Sequence, residues 1–209
     1  MINILLNPFF WAILSLFGLF GAATAVSTRY GKRHPYFAKI SAFLFFLGRL
    51  IMVLPFIPQP RFEHNLFTLI TGTLLGLTAL IFIFPGLKTQ PLSVPSATMK
   101  LRTTGLYGIV RHPFYLGEIL MSLALAFLFQ SWIGLALTPI WWASLALHIL
   151  NEEESIENVQ GPYYLEYKAR VRGRVIPIPP FSKEPTIPKY PFKNLVFKGG
   201  GVKGTAYLG

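Results

Sequence analysis

The chain of 209 residues contains no cysteine. Disulfides, thiolate catalysis, cysteine-ligated metals and S-acylation are therefore excluded, and no metal site is expected. Charge is also scarce. Only 13% of the residues are charged, where an ordinary soluble domain carries roughly 25%. Acidic groups are the rarest, 8 against 19 basic residues. No basic segment precedes the first apolar run and no small-residue cleavage site follows it, so that run reads as a retained span and not a signal peptide. There is no Gly-x-Ser-x-Gly nucleophile elbow and no internal repeat.

What fills the chain instead is apolar: 53% hydrophobic residues and a mean hydropathy of +0.51. A bilayer is the expected solvent. A transmembrane helix needs about 20 mostly apolar residues. Five segments are read as spans: Phe9 to Thr28, Phe37 to Ile57, Leu66 to Phe84, Tyr115 to Phe129 and Ile133 to Leu150. The third is expected to close at Pro85-Gly86. The fourth is short, so it is expected to tilt or to be partly buried by its neighbours. The last two form a hairpin turning near Gln130-Ser131.

The formal charge of +11 is distributed in a way that suggests topology. Arg29, Lys32, Arg33 and Lys39 lie between spans one and two; Lys88, Lys100, Arg102 and Arg111 between three and four; Lys168, Arg170, Arg172 and Arg174 after span five. The alternate loops hold only Arg61 against Glu63, and then no charge. The positive-inside rule then places the N-terminus outside and the C-terminus in the cytoplasm. Basic residues interrupted by spans suit anionic lipid headgroups, and no nucleic-acid partner is expected.

Two polar clusters flank the hairpin on the cytoplasmic side. Charged groups at a membrane boundary cost free energy unless they face protein, water or ligand, so both clusters are expected to share one site. The first is Arg111-His-Pro113. Proline restricts the residue before it to extended conformations and suits the first turn of a helix. A helix beginning there would present His112 beside free N–H groups that favour anions. Arg111 adds a fixed charge, Tyr107 and Tyr115 offer rings and hydroxyls, and Gly117 allows close approach of a ligand or another helix. A helix cap with lipid-facing arginine and interfacial tyrosines is the alternative. The second cluster is Glu152-Glu-Glu154, expected at a helix C-terminus, where the dipole opposes it. At least one of Glu152 and Glu153 is expected to bind a ligand or an ion-pair partner, and Glu154 to be solvated. Arg49 and Glu118 are charges inside spans that line an entrance or snorkel. His148 stands one turn before Glu152 on the same helix face.

The run from Leu101 to Gly117, with Arg-His-Pro-x-Tyr-x-Gly, followed by Asn151-Glu-Glu153 and by Tyr164-Leu-Glu-Tyr-Lys-Ala-Arg-Val171 with Ile176-Pro177, resembles the isoprenylcysteine carboxyl methyltransferase and phospholipid methyltransferase family. The resemblance spans about Thr68 to Pro177. It implies an all-α integral membrane methyltransferase with a cytoplasmic C-terminal site for S-adenosylmethionine. Carried over residue by residue, it implies that His112, Pro113, Tyr115, Gly117, Glu152 and Glu153 line the cofactor, with Arg111, Tyr107, Tyr164 and Tyr167 nearby. His112, Glu152 and Glu153 are the candidate catalytic residues. The acceptor would be lipophilic, an isoprenylcysteine carboxylate or a phospholipid amine, entering from the bilayer. A rival reading is a membrane reductase of related architecture that uses NADPH.

The domain reading is therefore N-terminal spans over 1–63, a methyltransferase-like core over 64–177, a proline-rich linker over 178–192 and a distinct tail over 193–209. The tail, with Gly199-Gly-Gly-Val-Lys-Gly204, resembles the opening of a patatin-like phospholipase domain, whose glycine loop forms an oxyanion hole. This gives a third reading, the membrane-anchoring front of such a phospholipase.

Overall fold

A computed structural model describes residues 4–27, 34–89, 101–179 and 181. The tail over 193–209, nearly all of the linker, and the loops 28–33 and 90–100 with Arg29, Lys32, Arg33 and Lys100 lie outside the described residues. The described fold is helical, and its only extended pairing is one isolated bridge between Arg61 and Ser131.

Among the described residues, six α-helices follow in chain order: α1 (Pro8–Ser27), α2 (Pro35–Val53), α3 (Leu66–Thr89), α4 (Pro113–Leu128), α5 (Trp132–Gln160) and α6 (Pro162–Arg170). Short 3₁₀ turns precede α1 (Ile4–Leu6) and α4 (Gly105–Gly108). Four of the helices, α1, α2, α3 and α5, are long and apolar enough to cross a membrane. The fifth apolar segment, α4, has 16 residues, about 24 Å against a hydrocarbon core of about 30 Å. It is partly buried, with Gly117, Glu118, Ser122, Ala124 and Ala126 facing protein.

Three helix ends differ from the sequence expectation. α2 stops at Val53, four residues short of Ile57, with Leu54 already extended, because Pro55 disfavours a helical residue before it. α3 continues through Pro85 to Thr89, because ending a helix in an apolar setting would strand backbone groups that a continued helix satisfies. α5 runs past Leu150 for almost three further turns to Gln160. It stops at Gly161, whose φ of +53° is open to glycine and disfavoured for other residues.

The helices form two close pairs, α1 with α2 and α3 with α4, while α5 lies against α1 and α4. Ser15 on α1 donates to the Phe45 carbonyl on α2 at 3.0 Å. Ala12, Leu19, Phe45, Met52, Val53, Trp141 and Leu145 make the main core. A second, small core of Ile156, Tyr164, Tyr167 and Val171 lies beyond it, where α6 folds back on the end of α5.

At the opposite end the α4–α5 turn occurs where expected, with Gln130 at φ +48° and Ser131 accepting from the Gly134 N–H at 2.8 Å. Arg61 staples this end. Its guanidinium donates to the carbonyls of Leu54 (2.7 Å), Ile57 (3.2 Å) and Val53 (3.3 Å), and to that of Phe129 after α4.

Candidate functional site

The Arg-His-Pro turn is built by its proline. Pro113 is the first residue of α4, and His112 before it is non-helical at φ −127°, ψ 66°. No side chain caps the helix start, which leaves first-turn N–H groups without a capping acceptor. The backbone N–H groups of Arg111 and His112 instead donate to the carbonyls of Gly173 and Arg174, each at 2.9 Å. The segment after α6 is thereby clipped to the turn. Gly173 sits in a tight bend, where an added Cβ would lie 2.2 Å from the Ile176 carbonyl oxygen.

Glu153 is the hub. Its Oε1 accepts from Arg111 Nε at 2.7 Å and lies 3.1 Å from His112 Nε2. Its Oε2 accepts from Arg174 Nε at 3.0 Å. Arg111 also donates to the carbonyls of Val171 (2.6 Å) and Arg172 (2.9 Å). Glu153, Arg111 and His112 are all buried. A buried charge is tolerated only when paired and hydrogen-bonded, and here both glutamate oxygens and most of the guanidinium are engaged.

Glu152 is different. Its Oε2 lies 3.6 Å from His112 Nδ1, too far for a hydrogen bond, and has no partner. The Tyr115 hydroxyl faces the same carboxylate. Tyr115 packs between two imidazoles, with ring centroids 5.6 Å from His112 and 5.5 Å from His148. His148 Nδ1 and the Tyr164 hydroxyl are likewise buried without hydrogen-bond partners. Glu154 is exposed. Because α5 continues to Gln160, the glutamates stand inside the helix, and the expected opposition by its C-terminal dipole does not arise.

The remaining site candidates take structural places. Tyr167 donates from its hydroxyl to the Tyr107 carbonyl at 2.7 Å, joining α6 to the turn before the Arg-His-Pro segment. Burial pushes the Tyr164 and Tyr167 hydroxyls well above the ordinary tyrosine pKa, so both stay protonated. Pro113 is buried at the start of α4. Gly117 faces α3, where an added Cβ would lie 2.7 Å from Ile83 Cγ1 and 2.9 Å from the Ala79 carbonyl oxygen; the close approach is by another helix. Arg49 and Glu118 pair with each other inside the bundle, away from lipid. Sequence reasoning missed the individual role of Arg174, which it read only as part of a basic run. Nothing local to Arg174 marks it, since its partner Glu153 is 21 residues away.

Residues 87–161 match the family model described as phospholipid methyltransferase. The stretch holds both the Arg-His-Pro motif and the paired glutamates, so the resemblance read from those motifs is found by independent comparison. The match suggests a methyltransferase, and the apolar helices suggest that it is a membrane protein. No match was found among curated proteins or solved structures.

Proposed function

We propose that this chain is an S-adenosylmethionine-dependent methyltransferase acting on a lipophilic acceptor at the polar end of its bundle. The observation that carries the reading is that Glu152 Oε2, His148 Nδ1 and the Tyr164 hydroxyl are each buried without a hydrogen-bond partner, while His148 and Tyr164 both lie within the electrostatic reach of Glu152. Buried polar groups are normally hydrogen-bonded, so such a cluster calls for a ligand. Its chemistry fits the cofactor. A carboxylate oxygen suits a sulfonium or ammonium, and the uncapped start of α4 suits a carboxylate.

When bound, S-adenosylmethionine supplies a methyl group already activated on sulfur, which leaves the protein positioning and desolvation. The residues divide these tasks. Glu153 with Arg111 and Arg174 holds the Arg-His-Pro turn, α5 and the segment after α6 in one frame. Glu152, Tyr115, His112, His148 and Tyr164 form the binding face. For an amine acceptor, the proton lost on methylation goes to the open oxygen of Glu152; a carboxylate acceptor needs no base. The charge distribution supports a cytoplasmic placement of this end.

Calorimetric titration of the detergent-purified chain with S-adenosylhomocysteine tests the reading. Binding by wild type, lost in folded Glu152→Gln and His112→Ala, supports it. Well-folded wild type that binds NADPH and not S-adenosylhomocysteine sinks it.

A further inference from the structure

α2 lies outside the family-matched segment, yet one of its charged side chains, Arg49, is buried in the bundle. Arg49 of α2 donates through Nη2 to the Glu118 carboxylate of α4 and through Nη1 to the Glu118 carbonyl at 3.3 Å. Both residues are buried, at 3% and 2% exposure. The guanidinium also lies over the rings of Phe45 and Phe46, 4.8 and 5.7 Å from their centroids. Glu118 stands five residues into α4, about 7.5 Å below its start, so the ion pair lies beneath the polar site among apolar side chains.

A buried ion pair is weak evidence for stability, because desolvation offsets the attraction. Inside a membrane it calls for a functional explanation. The geometry supplies one. α2 and α4 belong to different helix pairs and touch each other only slightly. By engaging both a side-chain oxygen and a backbone carbonyl of one residue, Arg49 fixes the depth and the rotation of α4 together. Tyr115 is three residues before Glu118 and shares its helix face. The same rotation therefore sets the Tyr115 ring between His112 and His148.

Building on the proposed cofactor site, we infer that Arg49 is a positioning residue: through Glu118 it aligns Tyr115 and the Arg-His-Pro turn against Glu152. The N-terminal helices then complete the site, and do more than anchor it.

The double variant Arg49→Leu/Glu118→Leu removes both charges and should fold as well as wild type. Its apparent melting temperature and its affinity for S-adenosylhomocysteine are measured in the same detergent. The expected result is an unchanged melting temperature with affinity roughly tenfold to a hundredfold weaker, and Arg49→Lys, which keeps the charge, recovering part of it. A double variant that binds like wild type overturns the inference while leaving the cofactor site intact. Wild type that binds no S-adenosylhomocysteine overturns both. Should the leucine pair fail to fold, Arg49→Met/Glu118→Gln decides by the same comparison: weaker binding supports the inference and wild-type affinity overturns it.

Discussion

Glu152 and Glu153 are adjacent in sequence but opposite in circumstance. Glu153 is bonded through both oxygens, to Arg111 at 2.7 Å and Arg174 at 3.0 Å, while Glu152 keeps a buried oxygen with no partner. Their side chains differ in direction by one helical step, about 100°, and that step separates a structural carboxylate from an open one.

The two should therefore fail differently. Glu153→Gln leaves the buried Arg111 without its counter-charge and is expected to destabilise the fold by about 3–5 kcal/mol, seen as a lower midpoint in thermal unfolding. Glu152→Gln should leave that midpoint nearly unchanged and abolish S-adenosylhomocysteine binding. Equal stability losses in the two variants would refute this division.

Arg111→Lys tests the frame from the other side. Lysine retains the charge but cannot reach Glu153, Val171 and Arg172 together, as the planar guanidinium does. Each carbonyl left buried without a donor costs about 1–3 kcal/mol. Proteolysis at the segment after α6 should quicken in this variant, since that segment loses two of its ties. Unaltered cleavage would show that the backbone bonds to Gly173 and Arg174 suffice.

The tyrosines separate by partner and by pH. Tyr167→Phe removes the donor to the buried Tyr107 carbonyl and should cost about 1–3 kcal/mol. Tyr164→Phe removes a hydroxyl that has no partner, so stability should hold while ligand affinity falls. Burial raises the pKa of both. Their contribution is complete below the ordinary value near 10 and is lost as the unfolded chain ionises above it. Wild type should thus lose thermal stability above about pH 10, and a double phenylalanine variant should show a flatter profile.

Gly161→Ala addresses the joint between α5 and α6. Nothing lies within 4 Å of an added Cβ, so the penalty comes only from φ +53° and should be about 1–3 kcal/mol. A neutral effect in chemical denaturation would show that the joint relaxes to a negative φ.

Much of this was legible from local chemistry. Pro113 dictated where α4 begins and that His112 precedes it unwound, and the hairpin between the last two apolar segments turns at Gln130-Ser131, where it was expected. The ends of α3 and α5 were not legible. Pro85 and the glutamates look like stops in sequence, but an apolar surrounding favours keeping α3 helical, and pairing with Arg111 and His112 keeps α5 helical through Glu153. Three parts of the site were hidden by distance along the chain. The division of labour between Glu152 and Glu153, the tie of Arg174, and the pairing of Arg49 with Glu118, 69 residues apart, depend on which face meets which neighbour. Periodicity gives the faces of one helix; it does not say what stands opposite them.

The Arg61 staple gives the bundle a fulcrum. Four carbonyls from the end of α2 and the end of α4 converge on that one guanidinium, so parting the two helices there would strip several acceptors at once. The Arg49–Glu118 pair is a second tie between α2 and α4, nearer the polar site. Four acceptors at Arg61 stand against two at Arg49, so the polar tie between α2 and α4 is densest at the end away from Glu152.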